Sequence, residues 1–240
     1  MANNEVMPYR DFDVHSLARY LHVTPQQVEK LAERAKLPGR KVGGEWRFSK
    51  PDIHHWFERR IGASDELELL EVEDVLQRSS PTDDESDVCI ADMLPVEAIA
   101  VPLCARTRKS VIDSMVELAA QTGWLWDTKE MAEAVKARED MHTTALENGV
   151  ALLHPRRPMA KILAQPFLAL GCTSSGIPFG GEGPMTDVFF LICSVEDRGH
   201  LRVLARLSRI LTSPGFLNAL HQATDAAAAH QLIVETEEKL

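Results

Sequence analysis

Apolar and polar positions repeat along this chain with two different periods, and the switches between them mark its parts. Near the start, Val14, Leu17, Ala18 and Leu21 recur at helical spacing, His22-Val23 makes a turn, and Thr24-Pro25 places an N-cap residue before a first-turn proline. The spacing predicts a second helix from Pro25 to about Ala35. After Leu37-Pro38-Gly39, the run RKVGGEWRF reads as two short strands turning at Gly43-Gly44. Ser49, Pro51 and Asp52 then open a third helix through Ile53, Trp56, Phe57 and Ile61. Trp46, Phe48 and Trp56 are read as core. The adjacent His54 and His55 are read as surface residues, because neighbours on a helix point about 100° apart and a metal pair needs one face.

The second half alternates differently. Ile99-Ala100-Val101-Pro102-Leu103 looks extended, and Val111, Ile112, Met115, Val116, Leu118 and Ala119 fit a helix. Thr128 to Arg138 fits another, with Met131, Ala134 and Val135 inward. Short apolar strands are predicted at 150–153, 167–170 and 188–193. Leu201, Leu204, Leu207 and Leu211 mark a long amphipathic helix, and Ser213-Pro214 starts one more that turns Phe216, Leu217 and Leu220 inward. Apolar strands between amphipathic helices predict an α/β fold, a sandwich whose mixed sheet is covered by helices. The Gly-rich segment TSSGIPFGGEGPMTD is read as a surface loop, since no helix with a Lys-Ser/Thr start follows it to cradle phosphate.

Charge sharpens the division. The formal net charge is −10, yet residues 10–62 hold eleven Lys/Arg against seven Asp/Glu, whereas residues 63–92 hold one Arg against eleven acids. Charge acts over a screened range of about 8 to 10 Å, so each stretch is judged separately. The expected organisation is a basic module at 10–62, an acidic linker at 63–92 and an α/β domain at 93–240. The linker begins with a short amphipathic pattern (Leu67, Leu70, Val75, Leu76) and is most polar at roughly 78–90, too poor in apolar area to offset its ordering entropy. The four cysteines show no paired spacing and are read as reduced thiols. The longest apolar run, Val188 to Cys193, is far below the roughly 20 residues of a membrane helix, and the first residues lack a signal-peptide pattern. A cytoplasmic protein without membrane association, metal or cofactor is expected.

The order helix, turn, helix, glycine hairpin, helix in LARYLHVTPQQVEKLAERAKLPGRKVGGEWRFSKPDIHHWF resembles the excisionase and MerR-type winged helix-turn-helix family. The resemblance implies that the second helix enters the major groove of double-stranded DNA. Gln26, Gln27 and Lys30 would face base edges, and Arg40, Lys41 and Arg47 on the wing would meet phosphates. Physically, Gln pairs bidentately with adenine and wing cations neutralise phosphates. A net of +4 is modest, so specific recognition calls for a homodimer or a neighbouring protein. A small module of this kind also suits a peptide partner.

Two histidines follow predicted strands: His154 after GVALL, and His200 after DVFFLICS and the loop VEDRG. Arg138-Glu139, Thr143-Thr144, the strand ending at His154, the strand Asp187 to Ile192, and His200-Leu201 before VLARLSRIL occur in an order that resembles enzyme IIA domains of the fructose, mannitol and nitrogen-regulatory phosphotransferase group. That resemblance spans about 94–238. It implies that His154 accepts a phosphoryl group from a histidine phosphocarrier protein and that His200 is its partner, with Arg156 and the Thr143 or Thr144 hydroxyl as donors to phosphoryl oxygens. One departure lies in the nucleophile's own motif: the family has Pro-His-Gly, this chain Leu153-His154-Pro155. Pro155 has no N–H to offer a phosphoryl group, and Arg156 and Arg157 are candidates to offset its loss. No further phosphotransfer or membrane domain is expected after it, which favours regulation over sugar transport. Two readings stand: phosphorylation of His154 controls DNA or regulatory-protein binding by the first module, or the second domain is a silent interaction domain of a DNA-binding protein or adaptor.

Overall fold

The computed structural model describes residues 11–21, 24–49, 52–53, 56, 88–180 and 184–240, in two compact units, Met1–Glu85 and Ser86–Leu240. In the first, helix α1 (Val14–Leu21) is opened by Asp13, whose carboxylate accepts the Ser16 N–H while Ser16 Oγ accepts the Asp13 N–H. Helix α2 (Pro25–Glu33) is opened by Thr24 in the predicted cap. Leu17, Ala18, Val28, Ala32, Leu37, Phe48 and Ile53 form the buried centre. Strands β1 (Arg40–Val42) and β2 (Glu45–Arg47) pair antiparallel, and both turn residues have positive φ, Gly43 at 62° and Gly44 at 88°, the conformation a two-residue hairpin requires. Phe12 and Phe48 exchange backbone hydrogen bonds of 2.8 and 2.9 Å, tying the chain ahead of α1 to the end of the hairpin. Asp52, Ile53 and Trp56 are helical, as expected. The turn at His22-Val23, together with Pro51, His54, His55, Phe57, Ile61 and the apolar positions of the linker, lies outside the described residues.

The second unit begins earlier than its composition indicates. Residues 88–92, counted with the acidic linker, lead into a helical turn, α3 (Ile90–Met93), whose Ile90 is fully buried. A 3₁₀ turn (Val96–Ala98) and β3 (Ile99–Ala100) follow, then α4 (Arg108–Ala120), α5 (Thr128–Met141), β4 (Val150–Leu153), β5 (Phe167–Ile177), β6 (Thr186–Cys193), α6 (Asp197–Thr212), α7 (Phe216–His221) and α8 (Ala226–Glu237). The four strands form a mixed sheet of order β3-β5-β6-β4. The pair β5–β6 is antiparallel, while β3–β5 and β4–β6 are parallel. Leu153, Phe167, Ala169, Phe189, Leu191 and Cys193 pack with Val111, Met115, Met131 and Val135 of α4 and α5. The alternate strand residues, among them Leu152, Leu168, Leu170, Phe190 and Ile192, are equally buried, so the sheet is covered on both faces.

Two stretches differ from the sequence expectation. The Gly-rich segment taken for a loop is strand through Ile177, because β5 resumes pairing at Ile177↔Thr186 after an irregularity beyond Cys172. The extended stretch at 99–103 is a strand only at Ile99–Ala100. Helix α8 carries no strong apolar period, being mostly alanine in its first turn, and is fixed from its far end. There the buried Glu237 carboxylate accepts the N–H groups of Ile90 (2.8 Å) and Ala91 (2.9 Å) and pairs with Arg206 of α6 (3.0 Å). Among the described residues no helix is long and apolar enough to cross a membrane.

Candidate functional site

Parallel pairing brings the carboxyl ends of β4 and β6 to one edge, with Leu153 beside Leu191. The crevice outside such strand ends is where open α/β sheets place ligands. His154 is the first residue beyond β4, and β6 leads through Ser194 into α6, whose first turn carries His200. The two rings meet, their centroids 4.8 Å apart and their planes inclined by 56°. They are 2% and 6% exposed, respectively. The chain after His154 folds back over the end of β6, where Met159 N–H donates to the Ser194 carbonyl at 3.0 Å.

The His154 ring is held by its own strand. Nδ1 lies 2.7 Å from the Leu152 carbonyl oxygen. A carbonyl can only accept, so Nδ1 carries the proton and, in the neutral ring, Nε2 carries the lone pair. Leu152 is held in turn: its N–H donates to the Thr144 carbonyl at 3.2 Å. Thr144 donates its N–H and its hydroxyl to the buried Glu139 carboxylate, which also has the Arg108 guanidinium 3.7 Å away. Arg138, buried beside it, donates from Nη1 to the His142 carbonyl at 2.7 Å. Glu139 and Thr144 therefore brace the strand that leads into His154.

This bracing sorts the expected phosphoryl donors. The single hydroxyl proton of Thr144 goes to Glu139, so in this structure it is already engaged. Thr143 accepts the Ala145 N–H through Oγ1 at 3.1 Å and keeps its own hydroxyl proton for another acceptor. Arg156 and Arg157 are exposed, just past the buried Pro155. Sequence reasoning missed Ser194: its hydroxyl lies 3.0 Å from His200 Nδ1, and both residues are buried. Its place directly after an apolar strand and six residues before the histidine was the available signal.

On the first unit, Gln26 and Lys30 are exposed on α2. Gln27 is exposed too, but its Oε1 accepts the Thr24 N–H at 2.8 Å and closes the capping box. On the wing, Arg40 pairs with Asp11 at 2.9 Å, Arg47 pairs with Glu45 at 2.8 Å, and Lys41 sits 5.1 Å from the Trp46 ring centroid. Exposed pairs of this kind contribute little, about 0 to 1 kcal/mol, so phosphate can compete for these cations.

Residues 92–236 match the family described as phosphoenolpyruvate-dependent sugar phosphotransferase system, EIIA 2, and residues 13–61 match a helix-turn-helix domain. A nitrogen regulatory protein of Bradyrhizobium diazoefficiens is 31% identical over 149 residues, 60% of this chain and 94% of that protein. A fructose-specific EIIABC component of Bacillus subtilis is 26% identical over 147 residues, 60% of this chain but 23% of its own length. The crystal structure of nitrogen regulatory protein IIA-Ntr from Neisseria meningitidis superposes with a TM-score of 0.54 at 20% identity, covering 61% of this chain and 99% of that one. The chain belongs to the EIIA type 2 family and carries a helix-turn-helix domain ahead of its EIIA domain.

Proposed function

We propose that this chain is a regulator in which His154 accepts a phosphoryl group from a histidine phosphocarrier protein, and the added charge alters binding of DNA or a regulatory protein by the helix-turn-helix module. The juxtaposed imidazoles carry this reading: rings 4.8 Å apart, with the His154 tautomer that leaves Nε2 nucleophilic. In the transfer, Nε2 of His154 forms a bond to phosphorus as the bond from phosphorus to the donor's imidazole nitrogen breaks, and that electron pair returns to the donor. His154 keeps its Nδ1 proton on Leu152 and holds the ring's positive charge. His200, Thr143 and the exposed Arg156 supply donors for the phosphoryl oxygens, aided by the amino end of α6. The relative named a nitrogen regulatory protein supports control rather than transport as the output. A cytoplasmic setting, and operator binding as a homodimer through Gln26, Lys30, Arg40, Lys41 and Arg47, belong to the same reading.

The test is incubation with phosphoenolpyruvate, enzyme I and the phosphocarrier. An acid-labile, hydroxylamine-sensitive label on the wild type, absent from His154→Ala, is expected. No label on the wild type, or equal label on both, sinks the reading.

Two observations favour a second reading, a silent EIIA domain serving as an interaction module: Pro155 has no N–H beside the nucleophile, and both rings are nearly covered. Salt-dependent binding to a defined duplex, unchanged in His154→Ala and unaffected by the phosphorylation system, would decide for it.

A further inference from the structure

We propose that Ser194 is a positioning residue that fixes His200 in the tautomer carrying its proton on Nε2. The Ser194 hydroxyl has one polar partner among the described residues, His200 Nδ1 at 3.0 Å. Were His200 to donate from Nδ1, the hydroxyl proton of Ser194, a residue 5% exposed, would be left without an acceptor. An unpaired buried donor costs about 1–3 kcal/mol. The hydroxyl therefore donates, Nδ1 accepts, and the ring proton of neutral His200 sits on Nε2.

The two imidazoles are thereby set in opposite senses. Leu152 takes the Nδ1 proton of His154 and leaves a lone pair on Nε2, whereas Ser194 occupies the Nδ1 lone pair of His200 and leaves an N–H on Nε2. One ring attacks phosphorus; the other hydrogen-bonds a phosphoryl oxygen, with no proton changing hands. Ser194 is itself fixed, because its carbonyl accepts the Met159 N–H at 3.0 Å and it continues a strand that is buried from Val188 to Cys193. The consequence for transfer rests on His154 being the acceptor; the tautomer assignment does not.

The experiment uses the full chain with ¹⁵N-labelled histidine. Multiple-bond ¹H–¹⁵N spectra of the wild type, Ser194→Ala and Ser194→Thr are recorded, and phosphorylation is measured at varied phosphocarrier concentration. The wild type shows His200 protonated on Nε2. Ser194→Ala gives a mixture of tautomers and a kcat lower by about tenfold, the scale of one buried hydrogen bond, with KM for the phosphocarrier unchanged. Ser194→Thr, which keeps the hydroxyl, restores both. A wild type protonated on Nδ1, or a Ser194→Ala spectrum identical to the wild type, overturns the assignment. A shifted spectrum with an unchanged rate overturns its role in transfer. If the wild type takes no label at all, the reading of His154 falls, and the spectra alone still decide Ser194.

Discussion

The carbonyl oxygen of Leu152 lies 2.7 Å from Nδ1 of His154, so a backbone group two residues upstream decides which nitrogen of this ring carries the proton in its neutral form. The phosphoryl adduct is accordingly expected on Nε2. Phosphorus–nitrogen coupling in the ³¹P and ¹⁵N spectra of the phosphorylated protein reports the linkage directly. An adduct on Nδ1 would show that the described geometry is not the reactive one.

Glu139 accepts two hydrogen bonds from Thr144 in a site only 3% exposed. Glu139→Ala leaves both donors unpaired and is expected to cost about 2–4 kcal/mol in urea unfolding. Glu139→Gln, which keeps one acceptor oxygen, should cost less. A loss below about 1 kcal/mol for the alanine variant would mean that Thr144 finds other partners without moving β4.

A Cβ at Gly171 would sit 2.6 Å from Met115 Sδ and 2.7 Å from Leu103 Cδ2. There is no room for it between β5 and α4. Gly171→Ala is expected to destabilise the domain by about 1–3 kcal/mol, the usual cost of overpacking, measurable as a lowered Tm. An unchanged Tm would show that Met115 swings aside at no cost.

Burial pushes the Cys172 thiol up from 9.0 to about 12 and raises Cys193 as well. Both thiols hold their protons more tightly in the folded chain than in the unfolded one. Stability is therefore unaffected below about pH 9, the unfolded value, and falls as pH rises from there towards about 12. Thermal melts should show this decline, flattened in Cys172→Ala. At pH 8 an alkylating reagent is expected to take the exposed Cys104 first, then Cys89, which donates to Glu237, and the other two only in denaturant. Rapid labelling of Cys172 in the native protein would contradict its burial.

The sequence displayed what repeats. The apolar runs of β4 and β6, the stripes of α4 and α6, the Thr24 cap and the Gly43-Gly44 turn each carry their own local signal, and the structure places them within a few residues of expectation. Sequence could not display what depends on a partner far along the chain. The polar end of β5 is strand because Thr186 pairs with Ile177, and α3 belongs to the second unit because Glu237, 147 positions later, receives its amide. The site divides the same way. The two histidines and the Arg-Glu and Thr-Thr pairs were legible as residue types, but the tautomer of His154 is written by a carbonyl, which every residue possesses. Gln27 and Thr144 show the converse, since each looked like a ligand contact and each is occupied by a neighbour in the fold.

The ladder from Val150–Val188 to Leu153–Leu191 has a consequence at its far end. A strand's side chains alternate between faces, so a slip of β4 against β6 by a single position would exchange the side chains packed on its two buried faces and swing the histidine away from its counterpart. Whether two imidazoles can act together is thus settled by ordinary methyl and methylene packing in the four residues before the first and, on the other strand, nine to twelve residues before the second.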